Sequence, residues 1–194
     1  MNHPPADADV YLQDEAELAL HPTLMRCWMQ RGRGRQRKLR APGTNAKRHV
    51  FGATDWRDGT ILRRYNASRD SATFCALVDD CVDRSRACGR PAVLVVDNLN
   101  IHVPERARKV RDLVQRHDRW LELVYLPKYS PDLQPQEVLW RVWRAQVTHD
   151  HQRTTLDELQ ADSEACFADW EANPTAVLRI ISSPFAQADS KGPI

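Results

Sequence analysis

The sequence has no long hydrophobic run, no secretory leader pattern and no cysteine pattern typical of a metal site. Its apolar runs span only a few residues, whereas a transmembrane helix needs about 20, which argues against a membrane protein. The first residues carry neither the basic nor the apolar segment of a secretory signal. Cys27, Cys75, Cys81, Cys88 and Cys166 are odd in number and lack C-x-x-C spacing. Zinc binding and a disulfide framework are therefore poor interpretations, and reduced thiols in a cytosol fit better.

The chain has the composition of a globular domain with an uneven charge distribution. Its 194 residues, 42% hydrophobic and 28% charged, can bury one sizeable core, and this argues against a disordered chain. The net charge of +2 divides into −5 over residues 1–20, +12 over 21–153 and −5 over 154–194. A basic middle region predicts a polyanionic partner, most commonly nucleic acid, and a merely well-solvated surface is the alternative.

The apolar pattern predicts an α/β domain with a mixed sheet, because early hairpin strands are followed by strand–helix alternation. Asp-Gly within Arg57-Asp58-Gly59 predicts a hairpin turn. Tryptophans three residues apart on the third helix are expected in the core, with base stacking as the alternative; they are Trp140 and Trp143. The predicted strands are Val10–Gln13, His49–Trp56, Thr60–Tyr65, Ala92–Val96 and Leu121–Leu126. The predicted helices are Asp70–Arg86, one from Pro104, one from near Gln136, and Leu156–Trp170.

A basic run extends from Arg26 to Arg40, with seven bases, no acids, two glycines and one tryptophan. We predict a hairpin with a flexible tip whose bases follow DNA phosphates, with Trp28 packed beneath it. A bare solvated loop is the alternative interpretation. The candidate DNA-binding residues are Arg31, Arg33, Arg35, Arg37, Lys38 and Arg40, together with Lys128 from a later turn.

Three acidic residues occupy comparable places in the predicted elements. Asp14 follows the first strand, Asp97 ends the most apolar strand, and Glu137 opens a helix. Ligands of α/β folds gather at strand ends and helix starts, and converging carboxylates favour a divalent cation. Two such ions can activate water and stabilise a leaving oxygen in phosphodiester cleavage. Spacing alone leaves open that each acid is only solvated or capping.

Two longer segments resemble motifs of DDE transposases of the mariner-type superfamily. Residues 94–102, LVVDNLNIH, are similar to its hhhDNxxIH segment. Residues 123–140, LVYLPKYSPDLQPQEVLW, resemble its LPPYSPDLNPIExxW segment. The bacterial branch, the insertion-sequence-630 family, is the one that these motifs resemble. Asp14-Glu15-Ala16 matches the short first acidic motif, so the resemblance covers about residues 9–172.

The resemblance implies a ribonuclease H-like fold in which Asp14, Asp97 and Glu137 are catalytic and bind the metal. It implies Mg²⁺ as cofactor, Mn²⁺ as a substitute, and two ions. The implied reaction nicks double-stranded DNA at transposon ends with water and then joins the 3′-hydroxyl end to target DNA, without a covalent enzyme intermediate. A homodimer is the implied active form, and the expected location is the bacterial cytoplasm, at the nucleoid.

This sequence departs from the family pattern at several positions. Lys128 replaces the second proline of LPPYSP, Gln134 replaces the asparagine before Pro135, and Gln136 replaces an apolar residue. The N-terminal helix-turn-helix region that binds transposon ends in the family is not in this chain, so we expect a separate reading frame or a truncated copy. We expect a catalytic domain over 1–174 and a weakly ordered tail over 175–194.

Two residues of the second motif are possible auxiliary groups. His102 either contacts the scissile phosphate or a metal-bound water, or is simply hydrogen-bonded near the strand end. Asn98 is expected to organise the turn rather than bind metal. Glu15 is not expected to be a ligand, although an exchange of roles with Asp14 is the alternative.

Two other functions stay open from the sequence. One is a catalytically inactive DNA-binding or assembly module left by a degraded element, which the missing helix-turn-helix region favours and the three intact acids oppose. The other is a host nuclease of the same fold, such as a junction resolvase, against which the YSPDLxP turn argues.

Overall fold

A computed structural model describes residues 7–26, 28–35, 38–39, 41–127 and 134–186, with side chains as far as residue 181. It contains one five-stranded sheet of order β3-β2-β1-β4-β5. Strand β2 pairs antiparallel with β1 and β3, whereas β4 runs parallel to β1 and to β5. The predicted mixed sheet is therefore confirmed. The strands are β1 Asp9–Ala19, β2 Lys47–Asp55, β3 Ile61–Asn66, β4 Ala92–Val96 and β5 Leu121–Tyr125.

Five helices in the described residues cover the sheet. Because side chains alternate along β1, one group of helices packs on one face of the sheet and the other group packs on the opposite face. Tyr11 points into a core with α1 and α2, and the adjacent Leu12 points into a second core with α3, α4 and α5. Trp140 and Trp143 are fully buried in the second core, so their predicted packing role is confirmed. The helices are α1 Ser71–Ala87, α2 Arg108–His117, α3 Pro135–Val147, α4 Leu156–Ala172 and α5 Pro174–Ala186.

Strand β1 is much longer than the predicted Val10–Gln13. Antiparallel pairing with β2 continues from Tyr11 to Ala19 and satisfies the backbone beyond the first acidic residue. Asp14 therefore lies in the middle of a strand, and its predicted place at the strand end is wrong. The predicted start of α2 at Pro104 is also early, because residues 103–107 form a turn in which Ala107 N donates to Val103 O at 2.9 Å.

The segment between β1 and β2 does not form the predicted hairpin in the part that is described. Its only bridge among those residues joins Thr23 to His149. Trp28 is fully exposed, so the prediction that it packs beneath the basic run is wrong. The described part of this segment pairs with no neighbouring strand, so its apolar side chains have no second strand to pack against. Arg31, Arg33 and Arg35 are exposed along it.

The weakly ordered tail predicted from residue 175 is also corrected, because α5 begins at Pro174. Val177 and Ile181 are buried in the second core, which gives this helix an apolar face to bury. The start of α5 lies against the β2–β3 turn, where Gly59 has a φ of +79°, and a Cβ there would come within 2.6 Å of Pro174 O. Residues 187–194 lie outside the described chain. No helix in the described ranges is long and apolar enough to cross a membrane.

Candidate active site

Asp14, Asp97 and Glu137 lie on or beside elements that pack against one another, and the charges of Asp97 and Glu137 act on Asp14. Asp14 is on the same face of β1 as Leu12 and therefore points toward α3. Strands β1 and β4 are parallel neighbours whose pairing ends with Leu12 opposite Val95, two residues before Asp14 on one strand and two residues before Asp97 on the other. Glu137 lies in the first turn of α3, which packs on this face.

The carboxyl group of Asp14 is held in an unfavourable environment for a negative charge. Burial, followed by repulsion from Glu15, Glu137 and Asp97, raises its pKa to about 8. Its Oδ2 atom is buried and accepts no hydrogen bond from the described residues. A bound cation would satisfy this oxygen and offset the repulsion from the neighbouring carboxylates.

The start of α3 is tethered to β1 beside Asp14. The side chain of Gln134, the residue before the helix, donates from Nε2 to the backbone oxygen of Gln13 at 2.8 Å. Glu137 N donates to Gln134 O at 3.1 Å, so the first turn is tight. Gln134 replaces the asparagine of the resembled motif, and it provides the bond that places Glu137 near β1.

A glycine on β2 allows α3 to approach the sheet at this point. Gly52 pairs with Asp14 in the β1–β2 register. A Cβ atom built on Gly52 lies 2.7 Å from ring atoms of Trp140, a distance that real contacts do not reach. The absent side chain therefore leaves room for Trp140, one helical turn after Glu137.

Asp97 is held by His102 and by the backbone. Its Oδ1 lies 2.7 Å from His102 Nδ1 and accepts from Leu99 N at 3.0 Å. Burial opposes ionisation of Asp97, but these hydrogen bonds outweigh it and lower its pKa. Burial likewise opposes charge on His102, yet its hydrogen bonds to Asp97 and Glu15 raise its pKa to about 9.

The donor set fits a hard divalent cation, since carboxylate oxygens are the ligands that Mg²⁺ and Mn²⁺ prefer. The unpartnered Oδ2 of Asp14 and the repulsion of Asp14 by Glu137 and Asp97 are the observations behind this fit. Within the described ranges no three His, Cys, Asp or Glu side chains are already grouped as ligands of one ion. Glu137 is instead paired with Arg144, Oε2 to Nη2, at 3.0 Å.

The remaining predicted residues lie at the edge of this site or apart from it. Asn98 donates from its side chain to Leu126 O, which organises the turn after β4. The exposed bases of the 26–40 run lie on the segment that joins β1 to β2, and Lys38 is exposed with them. Arg37, Arg40 and Lys128 lie outside the described residues.

Sequence reasoning missed three contributors to the site: the acceptor role of Glu15, the tether from Gln134 and the ion pair of Arg144. Glu15 carried a signal, since strand alternation places neighbouring residues on opposite faces once the strand is known to continue. The other two contacts join residues far apart in the chain or two turns apart on a helix. No local pattern predicts them.

Comparisons with known proteins agree with this geometry. A family model described as "DDE superfamily endonuclease" matches residues 9–160. A Shigella sonnei protein, "Insertion element IS630 uncharacterized 39 kDa protein", is 29% identical over 157 residues, which are 79% of this chain and 43% of that protein. The chain thus spans less than half the length of this curated relative.

Solved structures of Mos1 transposase share the fold. A paired-end complex with the left transposon end superimposes with a TM-score of 0.63 at 16% identity, over 92% of this chain and 56% of that one. A Mos1 mariner paired-end complex with Mn gives 0.63 at 14% identity, over 95% and 56%. At these identities the likeness establishes the fold alone, and the predicted ribonuclease H-like α/β architecture is confirmed.

Proposed function

The chain belongs to the DDE superfamily endonuclease family, and from this premise we propose that it is the catalytic domain of a metal-dependent DNA transposase. Its reaction is hydrolysis of a phosphodiester at a transposon end, followed by transfer of the freed 3′-hydroxyl to target DNA. We assign residues 9–181 to one catalytic domain, since α5 packs into the same core as α3 and α4.

One observation carries the proposal: the partly buried Asp14 side chain, whose Oδ2 is enclosed without a donor among the described residues and whose pKa is raised to about 8 by burial and by nearby acids that include Glu137 and Asp97. An acid in a purely structural role has a cation or several donors as partners. This one faces further acids from two other elements. Such an arrangement costs folding stability and is typical of a metal site.

Asp14, Asp97 and Glu137 are the residues that hold the metal in this proposal. Mg²⁺, or Mn²⁺ in its place, supplies Lewis-acid stabilisation of the attacking and leaving oxygens when two ions are bound. The chain's own part is to position the carboxylates. The β1–β4 register aligns two of them, and the Gln134 tether brings the third. To serve as a ligand, Glu137 would leave Arg144, and the partly exposed ion pair between them is weak enough to allow this.

The partner is double-stranded DNA, both transposon ends and target. Exposed bases between β1 and β2 supply a surface that neutralises phosphates. The proposal has three further parts. The mobile genetic element also supplies a helix-turn-helix region, the active complex is a homodimer, and the complex is located at the bacterial nucleoid.

The decisive experiment is nicking of supercoiled plasmid by the purified chain with Mn²⁺. We expect slow nicking by the wild-type chain and a loss of at least about 100-fold in Glu137→Gln, because the amide keeps the volume but not the charge that holds the cation. The matched control is Glu122→Gln, an exposed glutamate on β5. We expect it to nick like the wild type.

Two results would contradict the proposal. Equal nicking by Glu137→Gln and the wild type would remove Glu137 from the site. DNA binding without nicking in any metal, even with a helix-turn-helix partner added, would identify an inactive DNA-binding module.

The DNA surface is tested by the salt dependence of binding. Changing Arg31, Arg33 and Arg35 together to Ala is expected to flatten the slope of log K against log[salt] by roughly two to three units, since each neutralised phosphate contributes about 0.9. The measurement is fluorescence anisotropy of a labelled duplex at several salt concentrations.

A charge-matched control changes the exposed Arg108, Arg111 and Arg119 on and after α2. An equal loss of slope in both triple variants would show a diffuse basic surface, and the run between β1 and β2 would lose its special role.

A further inference from the structure

The imidazole ring of His102 joins two acidic residues from different parts of the sheet. Its Nδ1 lies 2.7 Å from Asp97 Oδ1, and its Nε2 lies 2.9 Å from Glu15 Oε1. Carboxylates accept hydrogen bonds, so both ring nitrogens donate. The ring therefore forms a direct bridge from β1 to the residue that follows β4.

Burial, a ring contact and backbone hydrogen bonds hold this ring in place. Its side chain is only 1% exposed. The ring of Phe74 on α1 packs against it, with centroids 4.3 Å apart. The backbone of His102 is bonded as well: its N donates to Leu99 O at 2.9 Å, and its O accepts from Tyr125 Oη at 2.9 Å. A ring held in this way transmits the position of one carboxylate to the other.

Glu15 is the second end of the bridge, and it lies on the opposite face of β1 from Asp14. Its carboxylate is 1% exposed, and Oε1 also accepts from Gln13 Nε2 at 2.8 Å. The nearest arginine, Arg69, has its Nε 3.9 Å from Oε2. His102 is thus the closest cationic partner of Glu15 among the described residues.

The bridge also decides which oxygen of Asp97 is occupied by hydrogen bonds. Oδ1 accepts two hydrogen bonds, from His102 Nδ1 and Leu99 N, and these occupy its two lone pairs. Oδ2 is then the oxygen with capacity for a cation. Without His102 the carboxylate can rotate, and both oxygens compete for the Leu99 donor.

We propose that Glu15 and His102 form a positioning pair that orients the Asp97 carboxylate relative to Asp14 for metal binding. This inference rests on the proposed function, because it concerns the same site. Neither residue touches the metal or the DNA. Histidine and carboxylate groups outside the ligand shell commonly tune a metal site in this way, and their loss costs about 10- to 100-fold in metal affinity.

The test uses three substitutions of His102 that differ in which donor they keep. His102→Ala removes both donors. His102→Asn keeps an amide nitrogen near the place of Nδ1 and can still donate to Asp97. His102→Gln extends its amide toward the place of Nε2 and donates only toward Glu15. The readout is the dissociation constant for Mn²⁺, measured by electron paramagnetic resonance of free Mn²⁺ and by calorimetry.

We expect His102→Ala to weaken Mn²⁺ binding by about 10- to 100-fold. We expect His102→Asn to restore it to within about threefold of the wild type, whereas His102→Gln stays as weak as the alanine variant. Glu15→Gln is expected to weaken binding by a few fold, since the bridge remains but loses one charge. Metal-free melting curves are recorded for every variant, so that affinity is compared among folded proteins only.

His117 provides the matched control. It is also a buried histidine bonded to a carboxylate, with Nε2 2.6 Å from Asp79 Oδ1, but it ends α2 away from the three acids. His117→Asn is expected to leave the Mn²⁺ dissociation constant unchanged. A merely structural histidine at position 102 would behave in the same way.

Three outcomes would overturn the inference: unchanged Mn²⁺ affinity in a folded His102→Ala protein, equal affinities for the Asn and Gln variants, or an equal loss in His117→Asn. If His102→Ala does not fold, the comparison of Asn with Gln still decides. Absence of Mn²⁺ binding and nicking in the wild type would instead overturn the proposed function, so the two failures are distinguishable.

Discussion

Asp9 and Asp14 lie five residues apart on β1, and the main difference between their environments is the cations bonded to them. Asp9 is fully buried, yet its Oδ1 is bonded to Arg90 Nε at 2.7 Å and to Arg57 Nε at 3.1 Å. Burial opposes its charge, but the arginines outweigh burial and lower its pKa. Burial and neighbouring acids raise the pKa of Asp14 to about 8.

The difference extends to the neighbours of each residue. At the Asp9 end, Asp55 is paired with Arg84 at 2.6 Å, so acids and bases alternate. The charges that raise the pKa of Asp14 are those of Glu15, Glu137 and Asp97, whose own partners are His102 and Arg144. The Asp9 end contains its own counter-charges and stabilises the fold. The carboxyl group of Asp14 has no such counter-charge bonded to it among the described residues, and this difference is the basis for proposing a metal site there.

The largest expected effect that separates the two aspartates is on metal affinity. Asp14→Asn is expected to weaken Mn²⁺ binding on the order of 100-fold, because a charged oxygen ligand is lost. Asp9→Asn is expected to leave the dissociation constant within about twofold, since its carboxylate belongs to the arginine network. Calorimetry on both folded variants measures this. Similar losses in the two would abolish the distinction.

The second-largest expected effect is a loss of folding stability when Asp9 is changed. Asp9→Asn is expected to lower the free energy of unfolding by about 2 kcal/mol, because two arginines lose their shared buried acceptor. The arginines are themselves about one-third exposed, which limits the loss. Urea denaturation at neutral pH provides the measurement. A change below about 0.5 kcal/mol would show that solvent replaces the carboxylate and that the network contributes little.

The smallest effect is a pH-dependent gain of stability in metal-free Asp14→Asn. The pKa of Asp14 is about 8 in the folded chain and ordinarily 3.8. The folded state therefore binds more protons between these values, and the wild type loses stability as pH rises through that window. The Asn variant lacks this loss. We expect no difference near pH 4 and an advantage of about 1 kcal/mol near pH 8, well below the roughly 5 kcal/mol of the full shift, because the partly buried Asp14 side chain is screened by solvent.

The measurement is the free energy of unfolding of both proteins in denaturant at several pH values, with a chelator present. A constant difference between the two proteins across the window would mean that Asp14 ionises freely. Its environment would then match that of an ordinary surface carboxylate.

Much of the fold follows from local pattern. The Asp-Gly turn, the five apolar residues of β4 and the apolar spacing of α1 each predict an element that the structure contains. The cap of α1 is also local, since Asp70 Oδ1 accepts from Thr73 N at 2.8 Å. Predictions failed where the deciding interaction comes from elsewhere in the chain. Strand β1 continues past its acids because β2 pairs with it, and α5 folds because Val177 and Ile181 reach an existing core.

The candidate site divides in the same way. Sequence alone selected Asp14, Asp97 and Glu137 and predicted that a divalent cation would join them, since residue type and motif are properties of the chain. Only the tertiary structure decided how the elements that carry them are packed: the parallel pairing of β1 and β4, the Gln134 tether and the space left by Gly52. It also decided that Glu15 faces away from Asp14 and bonds His102. Hydrogen bonds and close contacts between residues distant in sequence depend on packing, and no local pattern encodes them.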